Sequence, residues 1–334
     1  MSGFGGAGAF SDGKYNITND FGGNLWEKIG KDKSLELQRE VDRLNRKFYL
    51  RTKGLSDHQI CWSEVDCNRD AFKGGVDDFP ELFSSKYSNY KKICTQHNLH
   101  LLDADIRHLG TDKGQIVYHQ LYDELVTAGV DFLTETEVTS VMKNPDVDTK
   151  DEYAYWVGTE SNGFYAKEVV VAAGRSGSSW VSSICEKLNI ETLANKVDIG
   201  IRFECPNEIW SHVTKDLYEA KIVYKTKLYE DEVRTFCMNP GGEVVTENTN
   251  GYVTVNGHAF EDKEKKTNNT NFALLVSRTF TQPFNDSTAY GNAVVALSNM
   301  LGGGVVVQRY GDLIRGHRST PERIKHNTVI PTLN

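Results

Sequence analysis

The sequence lacks long apolar runs, paired cysteines and an excess of positive charge. No stretch of its 334 residues approaches the ~18 consecutive apolar positions that a membrane-spanning helix needs. Its first residues contain no basic segment followed by an apolar one, which argues against a secretory signal. We therefore expect a cytoplasmic protein with no membrane partner.

The cysteines and the charge exclude further classes. None of the six cysteines belongs to a C-x-x-C pair, and no second pair has zinc-ligand spacing, so we expect no metal site and mostly buried, reduced thiols. A net charge of −8 argues against a protein that binds the nucleic-acid backbone. A small molecule is the expected substrate.

Apolar periodicity predicts several elements in residues 1–195. Two amphipathic helices are predicted from residues at helical spacing, first Leu37, Val41, Leu44 and Phe48, and then Phe83, Tyr87, Tyr90 and Cys94. A strand and a turn are predicted in "NLHLLDADIRHLG", followed by a helix that ends at Gly129. Asn162-Gly163 predicts a hairpin turn. The apolar run "EVVVAAG" is typical of a strand buried on both faces, and the next helix is "WVSSICEKLNI".

Beyond residue 195 the pattern becomes rich in strands. Pro-Gly-Gly and Asn-Gly turns separate them, and a helix over 289–301 follows. We predict an α/β part before a mainly antiparallel part, α+β overall, divided as 1–195, 196–305 and 306–334.

Two glycine-containing segments are candidates for holding a cofactor. The opening "GFGGAG" has the letters of a dinucleotide fingerprint but not its context, because only two residues precede Gly3 and a strand is required there. It could still let the backbone approach a flat or phosphorylated ligand, with Phe4, Phe10 and Phe21 packing nearby. The second segment, "VVVAAGRSG", is either a ligand-binding turn at a strand end or ordinary strand–helix packing.

Seven blocks in one order carry a family resemblance: "GFGGAGAFSDGKYN", "RHLGTD", "VVVAAGRSGSSW", "KVDIGIRFECP", "RTFCMNPGGEVV", "VNG" and "QRYGDLIRG". Together they resemble the uncharacterised FAD-dependent dehydrogenases, also described as NAD(FAD)-utilising dehydrogenases, over essentially the whole chain. The resemblance implies a partial three-layer FAD/NAD(P)-binding domain with an inserted β-rich substrate-side domain. FAD is the implied cofactor, and NAD(P)H is a possible electron donor.

The resemblance also implies which residues contact FAD: Gly5, Gly6, Ala7, Gly8, Ser11, Asp12, Gly13, Lys14, Val138, Ala172, Ala173, Gly174 and Arg175. Asp12 and Lys14 could instead form a surface ion pair, which stabilises little. Arg175 could meet a phosphate, cap a helix or form a salt bridge.

Members of that family carry a βαβ unit before the "GGAG" block and a final Gly-Asp motif that contacts the flavin. Gly311-Asp312 follows the wrong segment to be that motif. A separate chain supplying the Rossmann unit, or a non-catalytic remnant of a flavoprotein, is therefore an alternative to a complete enzyme. FAD-dependent RNA modification is a third, which the acidic charge disfavours.

Residues of the β-rich part are candidates for chemistry. Cys237, His258 and Arg234 are the catalytic candidates, and Arg234 and Asn256 are candidates for binding substrate. Cys237 is either a redox thiol or a buried structural thiol. The family often has Cys-x-Cys-Pro-Gly-Gly, but Asn239 stands in the second position here, so no dithiol forms. His258 is either an acid/base or a hydrogen-bonded structural residue.

Overall fold

The computed structural model of the chain describes residues 3–54, 79–144 and 154–324. Helices and antiparallel sheets are mixed along it, which confirms the predicted α+β class. Backbone contacts divide it into unit 1, made of Met1–Val130, Asp198–Thr246 and Val255–Arg278, and unit 2, made of Asp131–Val197, Glu247–Thr254 and Thr279–Asn334. The three-part functional division of the sequence stays a prediction.

The helices are α1 (Leu25–Ile29), α2 (Lys31–Arg51), α3 (Tyr90–Gln96), α4 (Gly110–Thr127), α5 (Ser178–Lys187), α6 (Asn207–Leu217), α7 (Ser287–Gly302) and α8 (Tyr310–Ile314). The strands are β1 (Lys14–Ile17), β2 (Leu82–Ser84), β3 (Leu99–Leu101), β4 (Asp105–His108), β5 (Val138–Lys143), β6 (Tyr155–Thr159), β7 (Gly163–Ala166), β8 (Val197–Pro206), β9 (Ile222–Lys225), β10 (Glu232–Pro240), β11 (Glu243–Thr249), β12 (Tyr252–His258) and β13 (Asn269–Arg278). A short 3-10 turn spans Gly6–Phe10.

Unit 1 contains two sheets. One has the order β3-β9-β10-β13-β8, and the other has the order β1-β4-β2. Helices α2 and α4 contribute to one apolar cluster, which contains Phe48, Tyr49, Leu50, Leu109 and Val117. A second cluster is formed by α3, β3 and α6 and the residues beside them, namely Cys94, Leu101, Val213, Leu217 and Ala220. Helix α6 was missing from the sequence prediction.

The helix predicted from the stripe beginning at Leu37 is confirmed as α2, but its buried face differs from that stripe. Leu37 and Val41 are 41% and 48% exposed, whereas Phe48 is 4% exposed. Asp42 is buried because it accepts two hydrogen bonds from Arg107, of 2.6 and 2.8 Å. Apolar spacing therefore identified the helix, but its buried face also carries Asp42 in a buried ion pair with Arg107.

The helix predicted from Phe83 to Cys94 is only half right. Phe83 lies in β2, where it pairs with Ile106 of β4, and the helix starts at Tyr90. Pairing with a neighbouring strand here outweighs the helical spacing of the apolar residues. The intervening "VDCNRDAFKGGVDD" region lies outside the described residues.

Unit 2 confirms the predicted hairpin: β6 and β7 are antiparallel, with Gly158 opposite Gly163, and β5 pairs with the other edge of β6. The strand predicted for "EVVVAAG" is wrong. Residues 168–173 belong to no strand, and Val170 is 90% exposed. A strand buried on both faces needs neighbours on both edges, and no described strand pairs with this segment.

The remaining predicted helices are confirmed as α4, α5 and α7. Gly129 follows α4 with φ of 87°, which is the backbone conformation expected of a glycine at a helix end. At α7 the Asp286 carboxylate accepts a 2.8 Å hydrogen bond from the Ala289 amide. This side-chain cap satisfies one of the free amides of the first turn.

Candidate functional site

Cys237 lies at an irregularity in the central sheet of unit 1. The register of β10 against β13 shifts between Phe236 and Asn239, and Cys237 has φ of 48°. Such a bulge leaves a residue out of the ladder and redirects its side chain. The left-handed conformation costs a residue with a Cβ about 1 kcal/mol. The bulge brings the Cys237 thiol into contact with Lys14, the first residue of β1.

The Cys237 thiol has a cation and amide oxygens around it. The Lys14 ammonium lies 3.5 Å from Sγ and donates a 2.8 Å hydrogen bond to the Met238 carbonyl. The side-chain oxygens of Asn239 and Asn256 lie 3.6 and 3.9 Å from Sγ. Of the predicted site residues, the structure therefore brings Lys14, Cys237 and Asn256 together.

Four charged side chains form a buried ion network beside the thiol. Lys14 lies 3.2 Å from both Asp12 and Glu219, and Glu219 lies 2.6 Å from Lys221. All four side chains are at most 7% exposed. The Asp12–Lys14 pair is thus real but buried, not at the surface.

The pKa values in this network follow from burial and from charge pairing. Burial would lower the pKa of Lys14, but Asp12 and Glu219 outweigh it and raise that pKa. Burial would raise the pKa of Glu219, but Lys14 and Lys221 lower it to about 2. Burial lowers the pKa of Lys221. Lys14 and Glu219 therefore keep their charges near neutral pH.

Arg202 of β8 holds the bulge from its other side. Its guanidinium donates a 2.7 Å hydrogen bond to the Cys237 carbonyl, a 2.7 Å hydrogen bond to Asn271 Oδ1 and a third to Asn239 Oδ1. Gly257 makes room for these contacts, since a Cβ there would lie 2.0 Å from the guanidinium and 2.2 Å from Asn271 Oδ1. The three carbonyl oxygens thereby share one fixed donor.

Sequence reasoning missed Arg202, Glu219 and Lys221 as parts of this cluster. Arg202 lies in the "VDIGIR" block, one of those that carry the family resemblance, so its place in that block could have marked it as a candidate site residue. Glu219 and Lys221 follow α6, the helix that the sequence pattern did not reveal. They reach the site only because β9 pairs with β10.

The opening glycines pack mainly against α4. A Cβ at Gly5 would lie 3.0 Å from the Tyr118 ring, and one at Gly8 would lie 2.6 Å from the Tyr118 hydroxyl. Phe4 packs edge-on against Tyr118 and Tyr122. Gly6 differs, because no atom lies within 4 Å of a Cβ placed there. Close packing thus accounts for Gly5 and Gly8, and Gly6 keeps open space.

We expect Gly8→Ala to lower the free energy of unfolding by about 1–2 kcal/mol, because the new methyl group collides with the Tyr118 hydroxyl. Tyr118→Phe in the same chain removes that hydroxyl and should recover about half of the loss. Urea unfolding of the two single variants and the double variant measures the coupling. Additive effects would contradict the packing role of Gly8.

Other residues of the opening segment form local contacts. Ser11 Oγ donates to the Gly8 carbonyl and accepts from the Gly13 amide, each at 3.1 Å. The Gly13 carbonyl accepts a 2.9 Å hydrogen bond from the Leu109 amide. Ala7 lies in the 3-10 turn.

His258 and Arg234 lie in the same unit but have partners other than the thiol. His258 Nε2 is 3.0 Å from a Glu243 oxygen across the β11–β12 hairpin, and its ring packs edge-on against Phe260. Arg234 forms a 2.5 Å ion pair with Asp198 and lies over the Phe236 ring. The structure therefore gives both side chains structural partners, and their proposed roles stay predictions.

The remaining predicted cofactor residues lie in unit 2. Val138 begins β5, where it pairs with Thr159. Ala172, Ala173 and Gly174 lie in an exposed segment before α5, and Gly174 has φ of 67° with open space around its Cβ position. The exposed Arg175 forms an ion pair with Glu247.

Asp312, next to Gly311, is fully buried among cations. It lies 2.9 Å from Arg323, 3.6 Å from Arg315 and 3.7 Å from Arg309. Asp312 Oδ2, which faces Arg309, also accepts a 3.0 Å hydrogen bond from the Ser319 hydroxyl. These partners give this Gly-Asp pair a structural explanation.

One comparison with known proteins bears on the chemistry of unit 1. Residues 198–331 match the family described as FAD-dependent protein, C-terminal domain-like. The match supports an FAD-dependent family, and Arg202, Cys237 and Asn256 lie within it. No curated protein matches the chain.

The residues assigned to FAD fit that group at two backbone positions. Gly6 and Gly174 have positive φ and nothing within 4 Å of a Cβ position, so a flat or phosphorylated group can approach the backbone there. Gly5 and Gly8 are filled by Tyr118, and the side chains of Asp12 and Lys14 serve the ion network. Gly6 in unit 1 and Gly174 in unit 2 are each open to a ligand at the backbone, and each is a separate candidate for contacting the cofactor.

The part of the chain that the structure describes contains neither a metal-binding group nor a membrane-spanning helix. Its His, Cys, Asp and Glu side chains form no group of three or more that could hold a metal ion. None of its helices combines the length and the apolar character needed to cross a membrane.

Proposed function

We propose that this chain is an FAD-dependent oxidoreductase, or the central part of one, acting on a small molecule. The observation that carries the proposal is the position of the Cys237 thiol. Cys237 lies in the region that matches an FAD-dependent family, and its sulfur is 3.5 Å from the Lys14 ammonium. A thiol on a strained bulge beside a permanent cation is a typical arrangement for a reacting sulfur atom.

Each residue has a proposed role. When bound, FAD supplies the hydride or electron transfer. Cys237 is the proposed redox thiol, and Arg202 holds its backbone. Asn256 and Arg234 would orient the substrate, and His258, paired with Glu243, would exchange a proton with it. NAD(P)H is the proposed electron donor.

The test is FAD binding by the purified full chain. We expect flavin absorbance to stay with the protein through gel filtration after FAD is added. Gly174→Ala should weaken FAD binding about tenfold, because a methyl group then occupies the open backbone position. Gly129→Ala is the matched control, since Gly129 also has positive φ and open space but lies outside the segments assigned to FAD.

A colourless protein that takes up no added FAD would overturn the proposal for this chain alone. Equal loss of FAD affinity in Gly174→Ala and Gly129→Ala would mean that backbone strain, not cofactor contact, explains the effect.

A second candidate is a subunit that needs a partner chain. It is favoured by the segment 168–173, which is strand-like in sequence but unpaired, with Val170 90% exposed. We propose that a strand of a polypeptide supplying the Rossmann unit pairs with this segment and buries its valines.

The FAD content of the chain should then depend on such a polypeptide. The chain is expressed alone and together with a polypeptide containing a strand–G-x-G-x-x-G–helix unit, and flavin per chain is measured. This second candidate, unlike the first, predicts flavin only in the co-expressed complex, and Val170→Lys should abolish the complex. Full flavin content of the chain alone would reject the need for a partner.

A further inference from the structure

His108, at the end of β4, is a buried imidazole that no proposed role uses. Its side chain is 2% exposed and stacks on the Tyr218 ring, with 4.3 Å between ring centroids. Charged groups face it from two other segments: Asp12 and Lys14 from the N-terminal segment, and Glu261 from the loop after β12. His108 thus lies where these segments meet inside unit 1.

Neither ring nitrogen of His108 has a hydrogen-bond partner among the described residues. Nδ1 is 3.6 Å from a Glu261 oxygen, and Nε2 is 3.9 Å from Asp12 Oδ2. Buried polar atoms are nearly always hydrogen-bonded, so two unpaired nitrogens on one ring are unusual. A charged ring would present an N–H group to each of the two carboxylates, whereas a neutral ring can present only one.

One carboxylate oxygen links His108 to the thiol. Asp12 Oδ2 is 3.9 Å from the His108 ring and 3.2 Å from Lys14, and it also accepts a hydrogen bond from Asn239. Lys14 in turn lies 3.5 Å from Cys237 Sγ. The path from the imidazole to the sulfur therefore contains two side chains.

We propose that His108 is a positioning residue that couples solution pH to the reactivity of the Cys237 thiol through Asp12 and Lys14. The inference rests on the proposed function for its use of Cys237 as the reacting thiol. When the imidazole takes up a proton, Asp12 is shared between two cations. The Asp12–Lys14 ion pair weakens as a result. The Lys14 ammonium then interacts more strongly with Glu219, with the Met238 carbonyl and with the Cys237 sulfur.

Among the groups around it, His108 is the one that we expect to change its protonation state just below pH 6.5. Burial lowers the pKa of His108 from its ordinary value of 6.5. The pKa of Glu219 is lowered to about 2 and that of Lys14 is raised, so both stay charged, while Lys221 is paired with Glu219. Burial raises the pKa of Tyr218, which stays neutral. Burial would raise the pKa of Glu261, but the neighbouring His108, Lys266 and Lys113 lower it. Glu261, whose carboxylate faces His108 Nδ1, is 32% exposed.

The test is the rate at which iodoacetamide alkylates Cys237 in the full chain without FAD. Peptide-resolved mass spectrometry follows Cys237 separately from the other cysteines at a series of pH values. When the alkylation rate of Cys237 is plotted against pH, we expect an inflection below pH 6.5, where His108 takes up its proton. Below that point the rate should fall less steeply with decreasing pH than protonation of the thiol alone predicts. The His108→Gln variant should lack this inflection, and at the lowest pH of the series its Cys237 should be alkylated roughly fivefold more slowly than in the wild type.

Two further variants locate the coupling. Asp12→Asn should lose the inflection although His108 is present. His119→Gln is the control, because His119 is 77% exposed on α4 and should keep the wild-type profile. An inflection that survives in His108→Gln, or no alkylation of Cys237 at any pH, would overturn the inference.

The wild-type protein provides a measurement that does not depend on how well the variants fold. The ¹⁵N shifts of His108 should titrate with the midpoint of the alkylation inflection, and a different midpoint would overturn the coupling. Because FAD is absent from both measurements, FAD binding without the inflection rejects only this inference. The inflection without FAD binding rejects only the proposed function.

Discussion

Replacing Lys14 with methionine is expected to lower the free energy of unfolding by about 3 kcal/mol, because it leaves buried carboxylates without their shared cation. Lys14 is within 3.2 Å of both Asp12 and Glu219, and all three side chains are at most 7% exposed. Urea unfolding near neutral pH measures the loss. Lys33→Met is the matched control: Lys33 pairs with Glu36 on α2 but is 53% exposed, so its removal should change stability by less than about 0.5 kcal/mol.

The ion pair between Lys14 and Glu219 also predicts how the stability of the wild-type protein depends on pH. The folded pKa of Glu219, about 2, is below its ordinary value of 4.5, so the unfolded chain binds a proton first as the pH falls. The stabilisation from Glu219 is complete above 4.5 and is lost as the pH falls toward 2; it is on the order of 3 kcal/mol. This pH dependence should become shallower in Lys14→Met. Equal pH dependence in both proteins, or a loss below about 1 kcal/mol for Lys14→Met, would contradict the role of this network.

Gly257→Ala is expected to lower the free energy of unfolding by about 2–4 kcal/mol. Its methyl group would lie 2.0 Å from the Arg202 guanidinium and 2.2 Å from Asn271 Oδ1, and Asn271 is fully buried. Arg202 must then withdraw, leaving the acceptors at Cys237, Asn239 and Asn271 without their donor. Urea unfolding measures this loss, and alkylation of Cys237 should become faster because the bulge loosens.

Gly114→Ala is the control for this substitution. Gly114 lies inside α4 with nothing within 4 Å of its Cβ position, so alanine should leave stability unchanged or raise it by up to about 1 kcal/mol. If Gly257→Ala is as stable as Gly114→Ala and its Cys237 reacts at the wild-type rate, Arg202 does not hold the bulge.

The extent to which local pattern predicts this protein differs between elements. The hairpin at Asn162-Gly163 and the helix ending before Gly129 depend on turn and capping chemistry within a few residues, and both are confirmed. The strand predicted at 168–173 depends on neighbours along both edges, and it is wrong. Phe83 follows a helical spacing but pairs in β2, because a partner strand lies more than twenty residues away in sequence.

The candidate site shows the same difference. Cys237 and Asn256 were identified because each lies in a short block with a distinctive composition. Arg202 and His108 lay in such blocks too, but no local signal related them to a thiol. Glu219 had no local signal, since a buried carboxylate is recognised only by its cation partners.

Apolar spacing and the backbone freedom of glycine were enough to predict the mixed α+β class, most of the helices and turns, and the segments that contribute residues to the candidate site. Long-range packing, which no local pattern reveals, places Asp12 and Lys14 in the interior, fills the space beside Gly5 and Gly8 with Tyr118, and takes Cys237 out of the ladder of β10. The physical reason is that burial gives a charge or a thiol its chemistry. Lys14 and the Met238 carbonyl that accepts its hydrogen bond are 224 positions apart in the sequence.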